Sequence, residues 1–327
     1  MDSTQQNGDY TIPVLDFCDY DCPNSEGDKE LFIENIGDAL KSKGFFALTN
    51  HGIEDKLLLE CYKKSASFFA LDEKFKKEFE NKEHGGQRGY TSFGTEHAKD
   101  SVHPDLKEFW HIGPPQFSVP DTPSYLHNVW PDSLVDGFRD SFEKLFYQLN
   151  RVSIVLLEAC SEYLGEDKSR LSEIAVNGNS ILRLIHYPPL AHTGAAPGGI
   201  RSAAHEDINL ITLLPSATAS GLEILDQSSK KWIPVLTPKN CIIVDSGDML
   251  QNITNGYFKS TTHRVTNPTD TYSARYSMPF FVHPRGEVNL EPLQSCVLRK
   301  QKEGFKYPKI TAYEYLNERL KEIGLKA

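Results

Sequence analysis

Two histidines, an aspartate and an arginine have the types and spacing to do chemistry together. His205, Glu206, Asp207 and Asn209 interrupt a stretch, RSAAHEDINLITLL, that otherwise reads as β-strand. Side chains alternate faces along a strand, so His205, Asp207 and Asn209 are expected on one face. An i, i+2 pair of this kind can converge on one ion, and a third ligand must then come from another strand. The segment KSTTHRVTN supplies His263. Two histidines and one carboxylate on one side of an ion leave the opposite positions open, an arrangement that suits non-haem Fe(II) with O2 and substrate. Zinc with a water accepts the same donors, and a single His-x-Asp is more often structural than metal-binding. A second i, i+2 pair shifts the balance. Arg275 and Ser277, in ARYSMPFFVHP, share a face. An arginine fork grips a carboxylate through two hydrogen bonds, and serine adds another. The alternative for Arg275 is a structural ion pair. Phe281 falls on the same face by period two, as a pocket wall or a core residue.

The elements that must hold these residues change character along the chain. TIPVLDF and FFALTNHGI read as strands, and KELFIENIGDALKSKG between them repeats Phe32, Ile36 and Leu40 at helical spacing, with Gly44 placed to end the helix. DKLLLECYKKSASFFAL and DEKFKKEF read as further helices. Residues 83–115, rich in Gly, Pro, His and charge, read as a long loop of the kind that is usually functional. A long helix over GFRDSFEKLFYQLNRVSIVLLEACSEYLG places Phe142, Leu145, Leu149, Val152 and Leu156 on one face. From about Ser180 short strand-like runs follow one another between polar turns, the pattern of a β-sandwich or barrel. DQSSKK reads as a hairpin loop, and TAYEYLNERLKEIGL as a closing amphipathic helix.

The expected organisation is an N-terminal α/β region over 1–115, a helical segment over 116–175, a β core over 176–295 and a C-terminal helix over 296–327 packed on that core. No linker divides them, so one integrated unit is expected. The net charge of −10 argues against nucleic acid as the partner. No apolar run reaches the roughly 20 residues of a membrane span, and MDSTQQNGDY lacks the basic and apolar parts of a secretory signal. A cytoplasmic protein with a small-molecule partner is therefore expected. The six cysteines complete no zinc pattern and read as reduced thiols.

The motifs together resemble the isopenicillin N synthase-like branch of the Fe(II)/2-oxoglutarate-dependent dioxygenases. HED at 205–207, GDMLQNITNGYFKSTTHRV at 247–265 and RYS at 275–277 carry the likeness, and IPVLDF, GFFALTNHGI and GYTSFGTEHAKDSVHPDLKEFWHIG extend it in the same order over nearly the whole chain. The resemblance implies a distorted double-stranded β-helix, or jelly roll, wrapped by helices. It implies His205, Asp207 and His263 as iron ligands. Arg275 and Ser277 are implied as the anchor for the distal carboxylate of 2-oxoglutarate. Tyr187 stands where the family has a cosubstrate-binding tyrosine, although Ile185-His186-Tyr187-Pro188 replaces the usual Asn-Tyr-Tyr-Pro. The implied cofactors are Fe(II), 2-oxoglutarate and O2, with ascorbate as a reductant, in a monomer.

The resemblance also implies oxidation of an unactivated C–H bond, by hydroxylation, desaturation or ring closure, with release of succinate and CO2. Arg88, in GGQRGY, matches a place where the synthase branch holds a substrate carboxylate. Tyr90 and Phe93 are expected along the same wall, and Arg183, His186, Asn209 and Phe281 near the pocket. Several cations around one cavity point to a carboxylate-bearing or amino-acid-like substrate. The alternatives are an isopenicillin N synthase-like or aminocyclopropane carboxylate oxidase-like enzyme that does not use 2-oxoglutarate, and a metal-free or zinc-bound jelly-roll binding module. The tail NERLKEIGLKA lacks the glutamine that the synthase places near its C-terminus, which weighs against that activity.

Overall fold

Apolar residues at helical spacing build the first layer of the molecule. The computed structural model describes residues 10–80, 85–98, 103–115, 126–194, 198–299, 304 and 306–323. The chain runs β1 (Val14–Asp16), α1 (Cys18–Asp21), α2 (Glu26–Ser42), β2 (Phe45–Thr49), α3 (Asp55–Phe69), α4 (Glu73–Lys77), β3 (Gly89–Thr91), β4 (Glu108–Ile112), α5 (Phe138–Leu164) and α6 (Ser172–Ala175). Next come β5 (Ile181–Tyr187), β6 (Ser202–His205), β7 (Ile211–Pro215), β8 (Leu222–Asp226), β9 (Lys231–Pro234), β10 (Ile242–Ser246) and α7 (Asp248–Ile253). Last are β11 (His263–Val265), β12 (Arg275–Ser277), β13 (Phe280–Val282), α8 (Gln294–Arg299) and α9 (Ala312–Glu322).

Helix α2 starts from a capping box, in which the Ser25 hydroxyl accepts from the Asp28 amide and the Asp28 carboxylate from the Ser25 amide. Such a cap is worth about 1 kcal/mol. The helix ends where Gly44 turns left-handed at φ 71° and donates its amide to the Ala39 carbonyl. A side chain there would also strike the Lys259 carbonyl oxygen at 2.4 Å. Helix α5 ends in the same way at Gly165, with φ 71°.

The strands form two sheets. Nine strands make the larger, in the order β1-β2-β10-β7-β13-β5-β4-β3, with β12 also on β5. The smaller has the order β6-β11-β8-β9. The loop between β8 and β9 is the expected hairpin, with Asp226 opposite Lys231. Phe45, Ala47 and Ile243 of the large sheet pack against Ile224 and Ile233 of the small one, so the sheets face each other as a jelly roll. On the outer face of the large sheet, Leu182, Leu184, Leu213, Val244 and Phe280 bury against Phe142, Leu145, Leu149 and Leu156 of α5. The N-terminal strands join the core directly, since β2 pairs with β10 and β4 with β5.

The expected loop over 83–115 is not structureless. Its described part contains β3 and β4; residues 83–84 and 99–102 lie outside the described residues, as do 116–125 of the expected helical segment. Strand β4, Glu-Phe-Trp-His-Ile, is buried along its whole length. Its ionisable residues hid it from a hydrophobicity pattern, because they are buried in pairs rather than solvated.

Candidate active site

His205 ends β6, His263 begins β11, and the two face each other across the ladder. Their rings lie 4.4 Å apart between centroids. Asp207 is not on the strand. Strand β6 stops at His205, and Glu206 to Leu210 turn back before β7. Convergence therefore comes from a turn rather than from strand alternation. The start of α7 fixes that turn: the Asp248 amide donates to the Asp207 carbonyl at 2.7 Å and the Gly247 amide to the Leu210 carbonyl at 2.9 Å.

Each histidine directs one nitrogen outward. His205 Nδ1 bonds the Ala203 carbonyl at 2.7 Å and His263 Nδ1 the Thr261 carbonyl at 3.2 Å. Those bonds place the proton on Nδ1 and leave the Nε2 lone pair free for an ion. Both Nε2 atoms lie 3.8 Å from Asp207 Oδ1. Burial, followed by the nearby His205, pushes His263 down to about 4, so that ring is neutral and its approach to Asp207 is not an ion pair. The three ligand atoms lie within 4.8 Å of one another. Asp207 Oδ2 accepts from the Thr212 hydroxyl, which Asn209 also bonds through Nδ2 at 2.9 Å. Asp245, opposite Thr212 in the ladder, is held well above the usual carboxylate range by burial and by Asp207. Two imidazoles with Nε2 turned inward and an oriented carboxylate fit a divalent iron.

A cavity of about 60 Å³ runs from this triad between the sheets, past Phe45, Ile185, Tyr187 and Val265, to Arg275 and Ser277. Arg275 is 2 % exposed, donates Nε–H to the Ala219 carbonyl at 3.1 Å and Nη1–H to Ser277 Oγ at 3.1 Å, and lies over the Tyr187 ring. Among the described residues no carboxylate pairs with it. A buried guanidinium costs several kcal/mol without an anion. A second buried guanidinium, Arg201, also lies near Tyr187.

A larger cavity of about 410 Å³ is also lined by His205 and Asp207. Ile181, Arg183, Phe281 and His283 of the sheet, Glu96 and Lys107 of the N-terminal part, and Leu316, Arg319 and Leu320 of α9 help line it. Both compartments are lined by His205 and Asp207, so two small molecules can meet at one ion.

Comparison with known proteins agrees with this geometry. Residues 12–133 match the family described as the N-terminal region of the non-haem dioxygenase in morphine synthesis, and residues 178–284 match the 2OG-Fe(II) oxygenase superfamily. A 2-oxoglutarate-dependent dioxygenase of Monascus ruber, citB, is 33 % identical over 87 % of this chain and 88 % of its own length. The chain belongs to the 2-oxoglutarate-dependent Fe(II) dioxygenases. The proline hydroxylase buaE of Petromyces alliaceus is 30 % identical over 94 % of the chain and 98 % of its own. Among solved structures, a 2OG-Fe(II) oxygenase family protein of Caulobacter crescentus superimposes with TM-score 0.82 at 34 % identity, over 96 % and 99 % of the two chains. A full-length Neurospora crassa protein, solved in complex with alpha-KG and thymine, does so with TM-score 0.83 at 27 % identity, over 97 % and 98 %. The dioxygenase thus takes Fe(II) and 2-oxoglutarate, which sets aside both the cosubstrate-independent oxidase and the metal-free or zinc-bound module.

The residues expected at the site divide into two groups. Tyr187, Arg275, Ser277, Arg183, Asn209 and Phe281 line one or both cavities with His205, Asp207 and His263. Arg88, Tyr90, Phe93 and His186 are not among the residues that line them. Arg88 is buried, but its guanidinium donates to the carbonyls of Gln87 and Leu126 and to Asn179 Oδ1. Phe93 is 37 % exposed. Tyr90 and His186 both bond the buried Glu108, which Lys76 also pairs at 2.8 Å. The alternation of β5 explains His186: Ile181, Arg183, Ile185 and Tyr187 face the cavities, and His186 must face away.

The sequence reading missed Glu96, Lys107, Thr212, Asp245 and His283 at the site. Only Lys107 and Glu96 carried a signal, as charged residues inside the quoted segment GYTSFGTEHAKDSVHPDLKEFWHIG.

Proposed function

We propose that this dioxygenase oxidises a C–H bond of a small molecule held in the 410 Å³ cavity, by hydroxylation, desaturation or ring closure, with release of succinate and CO2. The observation that carries this reading is the pair of compartments that share His205 and Asp207, with His263 lining the smaller one. When bound, iron would activate O2 as the oxidant, with oxidative decarboxylation of 2-oxoglutarate supplying two of the four electrons and the substrate C–H bond the other two. The protein's own residues do the positioning. His205, Asp207 and His263 hold the ion on one side. Arg275, Ser277 and Tyr187 receive the distal carboxylate of 2-oxoglutarate and so fix which end of it faces the metal. Ile181, Phe281, Leu316 and Leu320 present apolar surface to the substrate and keep bulk water from the reacting carbon.

A carboxylate-bearing or amino-acid-like substrate was expected from Arg88, Arg183 and His186. Of these, Arg183 alone lines the substrate cavity, so the reading retains one of its three supports. The test is a substrate screen read by succinate formation and by the mass of the organic product. The proposal requires a molecule that raises succinate release and gains oxygen, loses two hydrogens or closes a ring in equal amount. Succinate release with no matching substrate oxidation across a broad panel of small molecules would count against it.

A further inference from the structure

The charges around the substrate cavity are already matched. Arg183 Nη1 lies 3.1 Å from Glu96 Oε1, and the same oxygen lies 2.9 Å from Lys107 Nζ. Lys107 is also 2.8 Å from Asp105. Burial would raise the Glu96 carboxyl, but the Arg183 and Lys107 charges outweigh this and hold it well below the usual carboxylate range. Arg183 further donates Nε–H to His111 Nε2 at 2.6 Å, while His111 Nδ1 bonds the Gly86 carbonyl at 2.7 Å, which makes that ring neutral. The remaining cation in the described wall, Arg319, lies 2.7 Å from Glu322 and 3.6 Å from Asp248. Glu206 adds an exposed carboxylate to the wall.

We propose that Glu96 determines the substrate class: by occupying the cationic sides of Arg183 and Lys107 it closes this wall to carboxylates, so the site takes an uncharged polar molecule of the amide or lactam type. The inference rests on the cavity being the substrate site. A substrate carboxylate placed here would be desolvated without a free cation among the described residues to meet it, and would face Glu96 as a like charge. An uncharged amide avoids both costs. It still finds hydrogen-bonding groups in Gln87 and His283, and apolar contact with Ile181 and Phe281. The arginine fork alone would select a carboxylate; Glu96 reverses that selection.

Benzoate and benzamide, which share a ring and differ in charge, serve as probes. Anaerobic equilibrium dialysis of the full-length protein, saturated with Fe(II) and 2-oxoglutarate, measures the binding of each to the parent and to Glu96→Gln. Saturating 2-oxoglutarate keeps Arg275 from capturing benzoate. The substitution keeps shape but leaves Arg183 and Lys107 short of one anion, so benzoate affinity should rise at least about tenfold over the parent, as expected for a hydrogen bond to a charged group. Benzamide should bind the parent more tightly than benzoate. No gain of benzoate binding in Glu96→Gln overturns the proposal, and so does a parent that binds benzoate as tightly as benzamide. The parent comparison decides the matter if the variant does not fold. Loss of 2-oxoglutarate binding by the parent would instead count against the functional reading beneath it.

Discussion

Asp207 divides its two oxygens between two tasks. Oδ1 faces the Nε2 atoms of both histidines, and Oδ2 is held by the Thr212 hydroxyl. With both histidines oriented through their backbone bonds, the three donors have little freedom to turn away. His205→Ala, Asp207→Ala and His263→Ala should each lose iron, measured as bound metal after anaerobic dialysis, and lose turnover with little change in circular dichroism. Near-normal turnover of any one under limiting iron would remove that residue from the ligand set. Arg88 shows how residue type can mislead. A loop arginine looks like a carboxylate clamp, yet three of its five N–H groups go to two carbonyls and an amide oxygen. Arg88→Ala should therefore cost about 3 kcal/mol of stability by urea unfolding, because it removes a buried charged donor from its acceptors. Its substrate KM should stay near that of the parent. A raised KM with unchanged stability would restore the clamp.

At the scale of the element, period two was the most informative feature of the sequence and also the one misapplied. It places Arg275, Ser277 and Phe281 on one face, as the structure does even across the break between β12 and β13. Applied to Tyr187 it would have sent His186 to the opposite face. Applied to His205 and Asp207 it gave the right convergence for the wrong reason, since the strand ends between them. A turn can be as specific as a strand when backbone bonds hold it. Gly247 is where α7 meets that turn: a Cβ there would lie 2.3 Å from the Asn209 carbonyl oxygen and 2.8 Å from that of Asp207. Neither backbone atom can move without moving a ligand. Gly247→Ala should lower iron affinity on the order of tenfold or more, in the range seen when the supports of metal ligands are altered. Metal titration of the apo protein checks this, and unchanged affinity would show that the turn tolerates displacement. Strands β3 and β4 were illegible for a different reason. Burial of Lys107, Glu108 and His111 depends on partners far along the chain, such as Lys76, Glu96 and Arg183, which local patterning does not report.

At the scale of the molecule, the jelly roll sets two cavities against His205 and Asp207. Its small sheet carries both histidines; its large sheet carries Tyr187, Arg275 and Ser277, and α9 walls the substrate side. The β-rich core and the motifs at the two ends of the cosubstrate cavity were legible because they are local in sequence. The compensation of charge around the substrate was not, since it joins residues 96, 105, 107 and 183 in three dimensions. The central claim is that Arg275, buried without a carboxylate partner among the described residues, waits for that of 2-oxoglutarate. Removing one partner of a buried pair costs about 3–5 kcal/mol. At 1.4 kcal/mol per factor of ten, 2-oxoglutarate should bind Arg275→Ala on the order of a hundredfold or more weakly. Arg275→Lys should recover part of the loss, keeping charge without the fork. The deciding measurement is anaerobic titration of the Fe(II) protein with 2-oxoglutarate, followed by the metal-to-ligand charge-transfer absorption. The account predicts a saturable band in the parent, and in Arg275→Ala the same iron content with a band that rises only at far higher 2-oxoglutarate. Equal affinity in the two proteins, or no band in the parent, would contradict it.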